Sequence, residues 1–181
     1  MDPISQGIIG STASQVIAKK KHSLLVVALI GLLSGLAPDL DIFIRSSDDP
    51  LLFLEFHRQF THSLVFIPFG GFICASILFP IVKRISSITF METLIYSTVG
   101  FATHGLLDAC TSYGTLLFWP FSYQRISWNN ISIIDPFFTI PLIIFVGLSA
   151  YKRKKTFARI AIIWAISYLI LGAILNKKAF T

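Results

Sequence analysis

Apolar residues along the chain fall into six runs separated by short polar links. A helix that crosses a bilayer needs about 20 mainly apolar residues, with a range of about 17–25. Residues 63–82 and 157–175 meet that length outright. Residues 92–108 meet it if their polar end sits at the interface, and 23–37 are short but strongly apolar. A fifth span lies within 131–151 and is predicted to start near Pro136. The weakest run, 3–18, is rich in Gly7, Gly10, Ser11, Ala13 and Ser14. Small residues let membrane helices approach closely, so this run is predicted to be a short packed helix joined to the next through residues 19–22. Hydrocarbon cannot satisfy unpaired backbone groups, which makes helix the expected conformation of every run. The expected fold is all-α, a polytopic transmembrane bundle of five to six membrane segments, in one integral membrane domain over residues 1–181.

Composition agrees. The chain is 54% apolar and 13% charged, with 17 Phe residues, and its mean hydropathy is +0.75. Soluble domains carry about a quarter charged residues. A soluble all-helical protein with a very large core is therefore the poorer reading. Cys74 and Cys110 sit in apolar or polar-edge positions as small residues, with no pattern of a bridge or a thiolate site. The start, Met1-Asp2-Pro3, lacks the basic stretch of a secretory signal, so it is expected to belong to the mature protein.

The net charge of +6 does not point to nucleic acid, because the basic residues form short clusters between apolar runs rather than a stripe. If the segments alternate, the links at 19–22, 83–91 and 152–156 share one side, which then holds ten of the fifteen basic residues. Positive charge marks the cytoplasmic side, and both termini are then expected to face outward. Eight of the nine acidic residues, all but Glu92, fall on or near the opposite side, with three of the four histidines. This segregation is the sharpest regularity in the sequence.

Three polar clusters make up that outward face. Asp39 and Asp41, in Pro38-Asp39-Leu40-Asp41, end an apolar run and offer two carboxylates from one turn. The plain alternative is helix capping. His57 and His62 frame His57-Arg58-Gln59-Phe60-Thr61-His62-Ser63 and converge if a helix begins between them. His104 and Asp108 are four residues apart, on one helix face, within an apolar span where ionisable groups by default suggest function. Gly105 leaves room beside His104 for a ligand or a neighbouring helix. Asp39, Asp41, His57, His62, His104 and Asp108 thus form a candidate ligand pool. A mixed imidazole and carboxylate set suits a divalent transition metal, Zn or Mn, as one ion or two. Arg58 and Arg125 are the outward arginines beside histidine or aromatic clusters, and each could hold phosphate in a bidentate contact.

The chain resembles a family of inner-membrane-associated, metal-dependent hydrolases also described as LexA-binding. The resemblance rests on Met1-Asp2-Pro3-Ile4-Ser5-Gln6, Pro38-Asp39-Leu40-Asp41, His57 through Ser63, His104-Gly105-Leu106-Leu107-Asp108, Thr111-Ser112-Tyr113-Gly114-Thr115 and Asp135-Pro136, in order over most of the chain. It implies a bacterial inner-membrane hydrolase whose metal is held by the His and Asp residues of these motifs. It also adds Asp2, Gln6, Thr61, Tyr113 and Asp135 as supporting groups, Asp135 as a further ligand or a residue behind one. Many relatives carry histidine where this chain has Gln6; glutamine is the poorer ligand and is expected to orient water or substrate.

The expected activity is hydrolysis of a phosphorylated lipid or lipid-linked phosphoester at the extracytoplasmic face. Arg58 and Arg125 would hold the anionic group, and Asp41 or Asp108 would accept the proton. The expected partners are the membrane and a lipid substrate, not nucleic acid. Two other classes compete. An ion or metal transporter would need ionisable groups at several depths, and the inward half offers chiefly Glu92. A non-catalytic membrane adaptor would need larger loops than the few-residue basic links provide.

Overall fold

A computed structural model describes residues 1–44 and 57–179. Arg45, Asp48, Asp49 and Glu55, part of the predicted outward link, lie outside the described residues. The described residues form six α-helices: α1 (Pro3–Ile17), α2 (Leu24–Leu36), α3 (Ile67–Ile85), α4 (Phe90–Ala109), α5 (Pro136–Lys152) and α6 (Lys155–Ala179). Short 3₁₀ turns occupy Ala37–Phe43, Phe60–His62 and Leu64–Phe66. The described residues form no strand beyond an isolated bridge between Thr115 and Ile126. Each predicted apolar run is a helix, and α5 starts at Pro136 as expected.

Local chemistry fixes the boundaries. The Asp2 side chain accepts from the Ser5 amide with Pro3 at the first helical position, and Asp135 accepts from Phe138 with Pro136 in the same role. Thr89 and Glu92 cap α4 reciprocally. Pro38 follows α2, and the chain there tightens into a 3₁₀ turn.

The bundle is turned inside out. Ser5, Gln6, Ser11, Thr12, Ser14 and Gln15 of α1 are all buried, while Leu25, Leu29, Leu33, Ile77, Ile81, Ile163 and Ile170 point outward. Water would favour the reverse arrangement, and lipid accepts this one. Three stretches, Leu24–Phe43, Leu64–Ile85 and Lys155–Ala179, are long and apolar enough to cross a membrane, and Pro136–Lys152 is a shorter apolar helix. Helix α1 is central and packs on α2, α4, α5 and α6. Its contact with α2 and α4 depends on missing side chains: a Cβ on Gly10, Gly31, Gly35 or Gly100 would meet neighbouring backbone oxygen closer than 3.0 Å. The two cysteines are free and buried.

Successive helices alternate in direction. Lys19 pairs with Glu92 at 2.9 Å and Lys155 Nζ donates to the Ala18 carbonyl at 2.6 Å, which gathers the basic links at one end. At the other end the Asp2 amide donates to Ile133 at 2.9 Å and Leu64 to Leu117 at 3.0 Å. The histidine and aspartate motifs meet there.

Candidate metal centre

Three elements carry the core of the site. His104 and Asp108 lie one turn apart on α4, fully buried. Asp39 comes from the 3₁₀ turn after α2, and His62 ends the Phe60–His62 turn. One ligand atom from each of these four residues lies within 4.8 Å of all the others. His104 Nε2 is 3.2 Å from Asp39 Oδ1 and 3.8 Å from Asp108 Oδ2. His62 Nε2 is 3.4 Å from each of the same two oxygens. Ligands bound at about 2.0–2.2 Å to a tetrahedral ion lie about 3.3–3.6 Å apart; the His62 separations fall in that range, and those of His104, 3.2 and 3.8 Å, lie just either side of it.

The hydrogen-bond network gives a stronger test of fit. His104 Nδ1 is 2.6 Å from the Gly35 carbonyl, which can only accept. That nitrogen therefore carries the hydrogen, and Nε2 of the neutral ring is a lone pair. Thr61 donates its hydroxyl to Asp41 Oδ2 at 2.7 Å, so at 2.9 Å from His62 Nδ1 it accepts. His62 Nε2 is likewise a lone pair. Two imidazole lone pairs then face two carboxylates in a buried space, an arrangement only protons or a cation can hold. His62 Nε2 and Asp108 Oδ2 are buried without a hydrogen-bond partner, and a buried polar atom left so costs about 1–3 kcal/mol. Burial works to lower the His62 pKa, but the neighbouring carboxylates of Asp108, Asp39 and Asp41 outweigh it, and the net shift is upward. The cage attracts positive charge, and its residues fit a transition metal.

The remaining predicted residues surround this group. Asp41 and His57 pair with each other at 2.7 Å, and Asp41 also accepts from the Arg58 amide at 3.1 Å and from Thr61. They stand beside the four-residue cage, 3.5 Å from His62 Nδ1 through Asp41, and orient it as carboxylate–histidine pairs do at metal sites. Asp108 Oδ1 takes the Gln6 amide at 2.8 Å and the Met1 amino group. Gln6, expected to orient water or substrate, here donates to a carboxylate of the cage. Nothing in the sequence pattern signalled the Met1 contact, because it joins atoms 107 positions apart.

Arg58 has φ of 64°, uncommon for a residue with a side chain and a frequent mark of functional sites. Its carbonyl accepts from Leu116 and Thr115, each at 3.2 Å. Its guanidinium lies 4.7 Å over the Tyr113 ring, with Nε 3.5 Å from Asp108 Oδ2 and Nη1 buried and unpartnered. Arg125 is exposed and donates to the Gly114 carbonyl at 3.3 Å, part of the loop that flanks Tyr113. Asp2 and Asp135 serve as helix caps; Asp135 also accepts from Tyr168 at 2.9 Å. Asp135→Ala is thus expected to cost about 1 kcal/mol in thermal or denaturant unfolding while leaving metal content unchanged. Loss of metal would reassign it as a ligand.

An all-helical membrane bundle with a histidine–aspartate cage at one end defines the class of protein. The YdjM inner membrane protein family matches residues 1–179, and the chain belongs to it. Over 119 residues the chain is 26% identical to Uncharacterized protein YfhP of Bacillus subtilis (strain 168), an alignment covering 66% of this chain and 34% of YfhP. The chain thus spans about a third of the length of that curated relative. No solved structure matches it.

Proposed function

We propose that this chain is a metal-dependent hydrolase of the inner membrane that cleaves a phosphoester in a lipid or lipid-linked substrate at the extracytoplasmic face. The observation that carries the reading is the cage of buried His62, His104 and Asp108 and part-exposed Asp39, with Arg58 Nη1 unpaired beside it. A metal held by those four residues would supply an activated water and polarise a phosphoryl oxygen. Arg58 would grip the anionic group, its fork aligned by the Tyr113 ring and the Asp108 carboxylate. Both oxygens of Asp41 are already hydrogen-bonded, so the proton would go to His57, whose side chain is 24% exposed, is backed at Nδ1 by Asp41 and at Nε2 takes only a 3.4 Å contact from Arg58 Nε. Asp39, 26% exposed, lies on the same open side. Orientation rests on the positive-inside distribution of lysine and arginine.

The test is phosphate release from a lipid phosphomonoester and a lipid pyrophosphate in mixed micelles, with the metal content of the same preparation measured. Arg58→Ala is expected to lower release about a hundredfold or more while retaining metal, as loss of a fixed transition-state donor does elsewhere. Absence of transition metal from protein with all four ligands intact would overturn the proposal.

A transporter is the second reading, and one observation favours it. Gln15 Oε1 and the hydroxyls of Ser34, Ser97 and Ser149 are buried without partners in the bundle interior, between its two polar ends. Flux of Zn²⁺ into proteoliposomes, with no phosphate release, would select it.

A further inference from the structure

A cavity lies at the end of the bundle away from the metal centre. It has a volume of about 690 Å³ and runs between the α1–α2 link and the α5–α6 turn, within the about 300–1,000 Å³ usual for small-ligand sites. Lys20, Arg153, Lys154, Lys155 and Arg159 line it. Its rim also holds Lys19 and Lys21, and those two share Glu92 at 2.9 and 3.9 Å. Among the described residues Lys20, Arg153, Lys154 and Arg159 have no ion pair. The cavity therefore concentrates positive charge that, beyond Lys19 and Lys21, no described acidic residue pairs.

Topology alone would require basic residues at this level, but it would not require a concave pocket to gather them. Two further features give the pocket a shape. Helix α2 opens on it through Ser23 and Leu24, and the Ser23 side chain makes no capping bond, so the first amides of α2 are free of side-chain partners. Lys155 ties the two walls together by donating to the Ala18 carbonyl. Below it, the face of α6 that begins with Lys155 and Arg159 continues at helical spacing through Ile163, Ile166 and Ile170, all more than half exposed. Cations above an outward apolar stripe match a phosphate group above an acyl chain.

We infer that this cavity is a binding site for the phosphate-bearing headgroup of an anionic phospholipid. The headgroup phosphate is held by Lys154, Arg159 and Lys20, and an acyl chain lies along α6. Basic pockets between membrane helices on the cytoplasmic side bind anionic headgroups by this chemistry. The site is separate from the metal centre and stands or falls without it.

The experiment is native mass spectrometry of the full chain in neutral detergent, titrated with phosphatidylglycerol, phosphatidylcholine or inorganic pyrophosphate. Retained phosphatidylglycerol with little phosphatidylcholine is expected. Lys154→Gln/Arg159→Gln should weaken retention about tenfold or more, given roughly 1 kcal/mol per cation at an anionic surface. Lys154→Arg/Arg159→Lys should restore it, and Lys177→Gln/Lys178→Gln at the other end of α6 should leave it unchanged. Equal retention by the pocket and control variants, or failure of the charge-preserving variant to bind, would overturn the inference. Pyrophosphate bound as tightly as the lipid would overturn it too, by assigning the pocket to a soluble anion.

Discussion

His104→Ala is expected to reduce bound transition metal from about one equivalent to near none and to abolish the stabilisation that metal gives. His104 is fully buried, and its Nδ1–H bond to Gly35 aims Nε2 into the cage. Its removal takes away one of four ligands and leaves Asp39 and Asp108 facing each other with one fewer nitrogen to bridge them. The variant loses side-chain packing as well, so lowered stability alone would not identify a metal site. The distinguishing measurement is the response to a chelator. A ligand that binds only the folded state stabilises it by about 4 kcal/mol at a thousandfold excess over Kd. Removing metal from the wild-type protein should therefore lower Tm by several degrees, and the same treatment should leave His104→Ala unmoved. If protons rather than a metal fill the cage, the wild-type protein will not respond to chelator either.

The sequence made the ends of this bundle legible better than its middle. Lysine and arginine positions alone sorted the links into two groups, and every candidate ligand then fell on one side. The structure brings Asp39, His62, His104 and Asp108 together there. Spacing could not separate these four from Asp41 and His57, because both pairs come from the same motifs. The division depends on which way a 3₁₀ turn points each carboxylate: Asp41 is turned to the Arg58 amide and Thr61, Asp39 into the cage.

Helix α1 was the faintest run for a physical reason. Hydropathy reports the surface shown to lipid, and α1 shows little of it. Its serines and glutamines bond to neighbouring elements: Ser11 to the Ala28 carbonyl at 2.8 Å, Ser14 to the Tyr96 carbonyl at 2.9 Å, Gln15 to the Leu24 carbonyl at 3.1 Å. A weakly apolar run flanked by strongly apolar ones thus becomes the axis of the bundle, with the others as its lipid-facing coat. Its N-terminus delivers Gln6 to Asp108. The residues that made α1 hard to read as a span are those that connect it to the site.

The second large effect is expected at Gly105, whose role in the sequence was open between ligand space and helix approach. The structure resolves it as approach. A Cβ there would meet the His62 carbonyl oxygen closer than 3.0 Å, with the His62 Cα at 3.4 Å. That oxygen is backbone in a short turn whose side chain is a cage ligand, so it cannot yield without moving His62 Nε2. Gly105→Ala should destabilise the protein by about 1–3 kcal/mol, the usual cost of overpacking, and should cut metal affinity well beyond what the stability loss explains. Gly147→Ala is the internal control. Gly147 is also helical, on α5, and a Cβ there meets nothing within 4 Å. Alanine exceeds glycine in helix interiors by roughly 0.5–1 kcal/mol, so this variant should be neutral or slightly stabilised, with metal content unchanged. Metal titration and thermal unfolding of both variants, side by side, separate a backbone contact that positions His62 from a general intolerance of larger residues. A Gly105→Ala protein that binds metal as wild type does would mean that His62 is not held by this contact.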